Sequence, residues 1–279
     1  MKKFKRIIMI LIAATMLSGV VSAEAARGAD AQPRVKLPIV MYHHLSPKAR
    51  LLGDYVLSPE ALEADFKYLK DNGYESITVT ELIQWTRGEG ELPEKPVMIT
   101  FDDGYESTQV YAGPLLEKYG FRAVVAIVGA VADLFTEKPD HMLDYSHLSW
   151  DAVRELSRSY TFEIQCHTYN MHKNDVRRGC GKKNGEDFLA YKSALEADLV
   201  KFREKCFAEG VICASAIAFP YGFYSKDTLE VVRELGFDAA FTCSERVNYL
   251  SGDPEELFEL CRYNRPSGVT ASQFFGRWQ

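Results

Sequence analysis

From Ile39 to Phe241, short apolar runs alternate with amphipathic segments, and this alternation limits the fold more than any other feature. Ile39–Tyr42, Val97–Phe101, Ala123–Val128, Phe162–Ile164, Ala216–Phe219 and Ala239–Phe241 read as buried strands. A helix is expected after Ser58-Pro59, a good cap followed by a proline at the first helical position, with Leu62, Phe66 and Leu69 on one face and Gly73 as its stop. Ser76–Val79 reads as a further strand, with Thr80 capping a helix through Trp85. Later helices are expected around Tyr111–Tyr119, Trp150–Leu156, Phe188–Phe207 and Lys226–Leu235. About seven β/α units in one run imply an α/β fold, a distorted (β/α) barrel of about seven parallel strands in a single domain. A doubly wound open sheet is the alternative. In both, chemistry belongs at the carboxyl ends of the strands.

Four segments stand at such ends. Thr100-Phe101-Asp102-Asp103-Gly104 closes one strand; its adjacent carboxylates point to different sides, so one can bind a cation while the other stays free as a base. The same residues also suit a turn. His167 and His172 follow the strand ending near Gln165, at a spacing that suits a loop. With Asp103 they form a two-histidine, one-carboxylate set with positions open for water and substrate. Ala218-Phe219-Pro220-Tyr221-Gly222 closes a later strand, with Pro220 stiffening the loop and Tyr221 at the pocket rim as a substrate-binding candidate. At the end of the first strand, His43 and His44 follow Tyr42, and a histidine there is placed to donate a proton into the same mouth.

The N-terminus has a different character. Lys2, Lys3, Lys5 and Arg6 precede an apolar run from Ile7 to Val21 and the small residues Ser22, Ala23 and Ala25, the layout of a secretory signal peptide. We therefore expect a signal peptide at 1–23, a polar linker at 24–37, one domain at 38–279 and a secreted or cell-surface protein with no stable membrane span once mature. A retained N-terminal anchor is the alternative. Without those four cations, 29 of the chain's 33 basic side chains face all 39 acidic ones. So acidic a body does not suit nucleic acid, where a basic stripe must neutralise phosphates. All six cysteines lie beyond the signal; an exported protein permits disulfides, but neither the pairing nor a CxxC zinc site can be read from their spacing.

Together, the segments resemble the polysaccharide deacetylases, a carbohydrate esterase family, over roughly Pro38–Tyr263. Thr100–Gly104 matches the family's first motif, which implies Asp102 as general base and Asp103 as metal ligand. His167-Thr168 and His172 match the second, whose histidines complete a site for a divalent ion, Zn2+ being expected. Phe219-Pro220-Tyr221 matches the core of the third, where the tyrosine N–H helps hold the oxyanion. Three departures stand out: the histidines are five residues apart instead of four, Ala218 replaces an arginine that tunes the base, and the usual C-terminal Leu-x-His is absent. These resemble the subgroup acting on poly-N-acetylglucosamine of biofilm matrices, in which the acid histidine comes from the first strand. His43 is the matching position, His44 the fallback, and Arg262 or Arg265 the candidate for the missing arginine. The resemblance implies a monomeric metal-dependent hydrolase removing N-acetyl groups from a GlcNAc-containing polysaccharide. Peptidoglycan or chitin oligomers are alternative substrates, and an inactive glycan-binding module is the alternative function.

Overall fold

The computed structural model describes residues 34–278. The signal-peptide reading lies outside these residues, as does most of the linker. The linker's last part, Val35–Leu37, is a strand pairing antiparallel with Asn248–Leu250, so ordered structure begins before the expected boundary.

The main sheet is parallel. Its continuous path has seven strands: β1 (Ile39–Tyr42), β2 (Pro96–Phe101), β3 (Ala123–Ile127), β4 (Phe162–Cys166), β5 (Cys213–Ala218), β6 (Ala239–Phe241) and β7 (Tyr263–Asn264). The order is β6-β5-β4-β3-β2-β1-β7, and Glu75–Ser76 adds a short pairing to the start of β2. The sheet curls until its edges approach. Leu260, just ahead of β7, donates its N–H to the Ala240 carbonyl and accepts from Thr242 N–H. This is the distorted barrel the sequence implies.

Side chains alternate along each strand and fill two cores. Ile39, Met98, Val124, Ala126, Ala216, Ala218, Ala239 and Phe241 pack inside the barrel. The abundance of alanine there lets the strands close tightly. Val40, Ile99, Phe101, Val125, Ile164 and Ile217 face outward against the helices, among them α1 (Pro59–Asp71), through Leu62 and Phe66, and the long α6 (Phe188–Ala208), through Leu195 and Phe202. Between these helices in the chain come α2 (Val79–Thr86), α3 (Gly113–Tyr119), α4 (Gly129–Glu137) and α5 (Trp150–Ser157).

Two local expectations are corrected. The strand read at Ser76–Val79 is only Glu75–Ser76, and α2 is capped by Thr78, two residues before Thr80. Thr78 wins because Glu81 stands at the third helical position and closes a capping box with it. Thr80 instead gives its N–H and hydroxyl to Glu163 on β4. Helix α4 was not anticipated; it starts at Gly129, where a Cβ would meet the Tyr169 ring at 2.7 Å.

Candidate active site

The candidate residues converge at the carboxyl ends of the strands, in a pocket of about 530 Å³ lined by His43, Asp102, Asp103, His167, His172 and Tyr221. Among the described residues, the only non-glycine positions with left-handed backbone are Asp103 (φ 69°), Thr168 (φ 69°) and Tyr221 (φ 56°). Each follows a strand and belongs to one of the three motifs. Such a conformation costs on the order of 1–3 kcal/mol per residue and tends to collect where a site demands it. Gly104 fixes the first of these turns, because a Cβ there would lie 2.9 Å from Ile127 Cγ2.

Asp103 and the two histidines form a compact set. The Nε2 atoms of His167 and His172 lie 3.4 and 3.1 Å from Asp103 Oδ1, and the three ligand atoms are all within 4.8 Å of one another. The tautomer of His167 follows from its other nitrogen. Nδ1 is 2.8 Å from the Ala218 carbonyl, which can only accept, so in the neutral ring Nδ1 carries the proton and Nε2 presents its lone pair. Neither imidazole is aligned as a hydrogen-bond donor to Asp103 Oδ1, a buried oxygen left without a partner. Two ligands each ~2.0–2.1 Å from a tetrahedral zinc ion lie roughly 3.4 Å apart, so the spacing fits a divalent ion. Burial pushes the Asp103 carboxyl upward, but the two imidazoles outweigh it and hold the pKa well below the ordinary carboxylate range. Burial likewise opposes charge on His167, yet Asp103 and Asp102 raise its pKa above the usual imidazole value.

Asp102 has a different environment. Its carboxylate is gripped by Arg262, with Nη1 to Oδ1 at 2.7 Å and Nη2 to Oδ2 at 2.8 Å. Arg262 is itself fully buried and anchored by Nε to the Thr242 carbonyl at 3.1 Å. Burial raises the Asp102 pKa, but Arg262, with His167 and His43 adding to it, outweighs burial, and the net shift is downward. Of the two arginines considered for the missing family position, Arg262 therefore reaches Asp102. Arg265 does not; it makes a bidentate pair with buried Asp65 on α1, where Tyr42 also donates a hydrogen bond.

The two N-terminal histidines also part company. His43 lines the pocket with an unpartnered Nδ1, its ring edge-on to Tyr55. Burial holds its pKa below the ordinary imidazole range, against the pull of Asp102 and Asp103. His44 is buried outside that lining, its Nδ1 3.0 Å from Ser107 Oγ. Tyr221 stands half out of the pocket with its hydroxyl 3.3 Å from His172 Nδ1, while Pro220 is buried beneath the turn. Sequence reasoning missed Met41, Tyr55, Tyr105, Cys243, Glu245 and Asn264, which complete the lining. Only Tyr105, next to the Asp-Asp-Gly turn, carried a positional signal.

Residues 89–240 match the family model described as polysaccharide deacetylase. The chain belongs to this family. The matched stretch contains Asp102, Asp103, His167, His172 and Tyr221, whereas His43 precedes it and Arg262 follows it. Among curated relatives, the chain is 28% identical over 222 residues to poly-beta-1,6-N-acetyl-D-glucosamine N-deacetylase of Escherichia coli, covering 73% of this chain and 33% of that protein. The chain thus spans about a third of the length of that relative. An enzyme of the same name from Staphylococcus aureus is 24% identical over 267 residues, 88% of each chain. Similar solved structures include a de-N-acetylase from Aggregatibacter actinomycetemcomitans (TM-score 0.74, 22% identity, 88% of this chain and 100% of that one). Another is IcaB from Ammonifex degensii (TM-score 0.70, 24% identity, 88% and 97%). Both share the fold. Among the described residues, no helix is long and apolar enough to cross a membrane.

Proposed function

We propose that this polysaccharide deacetylase is a divalent-metal-dependent N-deacetylase of a GlcNAc-containing polysaccharide, with poly-β-1,6-N-acetylglucosamine the favoured substrate, releasing acetate and leaving a free amine. The single observation that carries this reading is the division of labour between adjacent carboxylates: Asp103 faces two imidazoles, while Asp102 faces an arginine. Asp103, His167 and His172 would hold the ion, which we take to be Zn2+. When bound, such an ion polarises the acetyl carbonyl and acidifies the attacking water.

The chain's own groups do the rest. Asp102, kept ionised by Arg262, takes the proton from water. The Tyr221 backbone N–H helps hold the oxyanion as the carbonyl becomes tetrahedral. His43 delivers a proton to the departing amine. Arg262 supplies at Asp102 the charge that Ala218 cannot, which favours catalysis over a binding-only module. The names of the curated relatives favour the β-1,6-linked polymer. Export by a signal peptide at 1–23, and a monomeric catalytic domain at 38–279, remain part of this proposal.

Acetate release from poly-β-1,6-N-acetylglucosamine, chitin oligomers and peptidoglycan, each with added zinc, tests the reading. Fastest release from the first supports it. Faster release from either of the others moves the substrate assignment, and no release from any of them returns the molecule to a binding role.

A further inference from the structure

Cys206 lies in the last turn of α6, and Cys213 opens β5. The turn between them is tightly specified. Gly210 takes left-handed backbone (φ 66°), and Val211 N–H donates to the Cys206 carbonyl at 2.9 Å. Arg154 Nη1 holds the Glu209 carbonyl at 3.0 Å, and Ile212 N–H reaches Ser157 Oγ at 3.3 Å. Within this frame the two Sγ atoms stand 2.8 Å apart, with Cys206 buried and Cys213 partly exposed.

We infer that Cys206 and Cys213 close into an intramolecular disulfide when the protein meets a small disulfide oxidant, stapling the end of α6 to the start of β5. A disulfide has its sulfurs about 2.05 Å apart, so closure needs less than about 1 Å of movement. The exposed thiol reacts first. Cys213 loses its proton and attacks one sulfur of the oxidant, breaking that S–S bond and releasing the first thiol. Cys206 then loses its proton, attacks Cys213 Sγ and expels the second thiol. Two S–H bonds break and one S–S bond forms, and the two electrons and two protons leave on the reduced oxidant. Contact with Cys206 and burial both hold the Cys213 thiol protonated, so the first step is slow at neutral pH. The staple sits at the opposite end of β5 from Ala218, whose carbonyl orients His167. It therefore acts on stability and leaves the site alone.

The full chain, incubated with oxidised glutathione and blocked with iodoacetamide without reduction, provides the test. Trypsin leaves both cysteines in one peptide, Cys206–Lys226. That peptide should be two hydrogens lighter than the dithiol and take up no iodoacetamide. Cleavage after Glu209 should leave its halves joined until a reductant is added. The oxidised protein should melt at least about 3 °C above the reduced one, a gap absent from the C206S/C213S double variant. Alkylation of both cysteines, a lasting glutathione adduct on Cys213, or a link from either to another cysteine would overturn the assignment.

Discussion

Arg262 closes on Asp102 through two parallel hydrogen bonds of 2.7 and 2.8 Å, although 160 residues separate them in the chain. Both side chains are almost wholly removed from solvent, so neither charge has water to fall back on. Burial alone would drive the Asp102 carboxyl towards its neutral form, which accepts no proton from water; the guanidinium, with His167 and His43 beside it, reverses that balance.

Removing the guanidinium should therefore disable the base before it disturbs the metal ligands. Arg262→Ala removes the strongest group opposing burial, so the Asp102 pKa rises and the acid limb of kcat/KM against pH moves to higher pH. We expect a loss of activity of at least about 10²-fold at neutral pH and a destabilisation of about 3–5 kcal/mol from the orphaned buried carboxylate. Arg262→Lys keeps the charge but loses the bidentate grip, and should fall between the two. A pH profile with zinc content measured alongside checks this; an unshifted limb contradicts it.

Arg265 provides the contrast. Its pair with Asp65 ties the residue just past β7 to α1, far from the reacting groups in role though equally buried. Arg265→Ala should cost a similar ~3–5 kcal/mol in denaturant unfolding, while kcat of the folded fraction stays within about threefold of wild type, as expected for a residue outside the transition state. A large fall in kcat without loss of stability would assign the wrong arginine to the base.

Zinc binding should release a proton whose count depends on pH. The pKa of His167 lies above the ordinary imidazole value because Asp103 and Asp102 overcome its burial, so in the metal-free protein it is protonated at and below roughly pH 6.5. Ligation needs the neutral ring, so affinity rises with pH through that range and levels off once His167 is deprotonated beforehand. Calorimetry in buffers of different ionisation enthalpy reads the proton count directly. A pH-independent count of zero would exclude His167 as a ligand, and full zinc stoichiometry in His172→Ala would exclude His172.

The neighbouring histidines should separate cleanly. His43→Ala removes the pocket-lining imidazole and should lower kcat by about 10²–10⁴-fold. His44, turned to Ser107, is a packing residue, and His44→Ala should show as a lower melting temperature with kcat reduced by less than about tenfold. The reverse ranking would make His44 the proton donor.

Much of this architecture was legible because the chemistry is contiguous. Strand ends announce Asp102–Asp103, His167 and Tyr221 directly, since a parallel sheet gathers its carboxyl ends on one face. What was not legible depends on closure. Arg262 and Arg265 differ by three residues and look equivalent in the chain; only the pairing of β7 with β1 sends one to Asp102 and the other onto α1. The same holds for Thr78 and Thr80, both good helix caps, where a reciprocal bond with Glu81 decides for one and Glu163, from a distant strand, claims the other. Tyr55 and Glu245 reach the pocket from loops with no periodic pattern, so nothing local marked them.

The central claim is that Asp102 is the base and Asp103 is not. The direct measurement is acetate release from poly-β-1,6-N-acetylglucosamine by zinc-loaded Asp102→Asn, with its zinc content determined on the same sample. The account predicts wild-type zinc content and activity reduced by at least about 10²-fold. Wild-type turnover by that variant, or loss of its zinc, would contradict it.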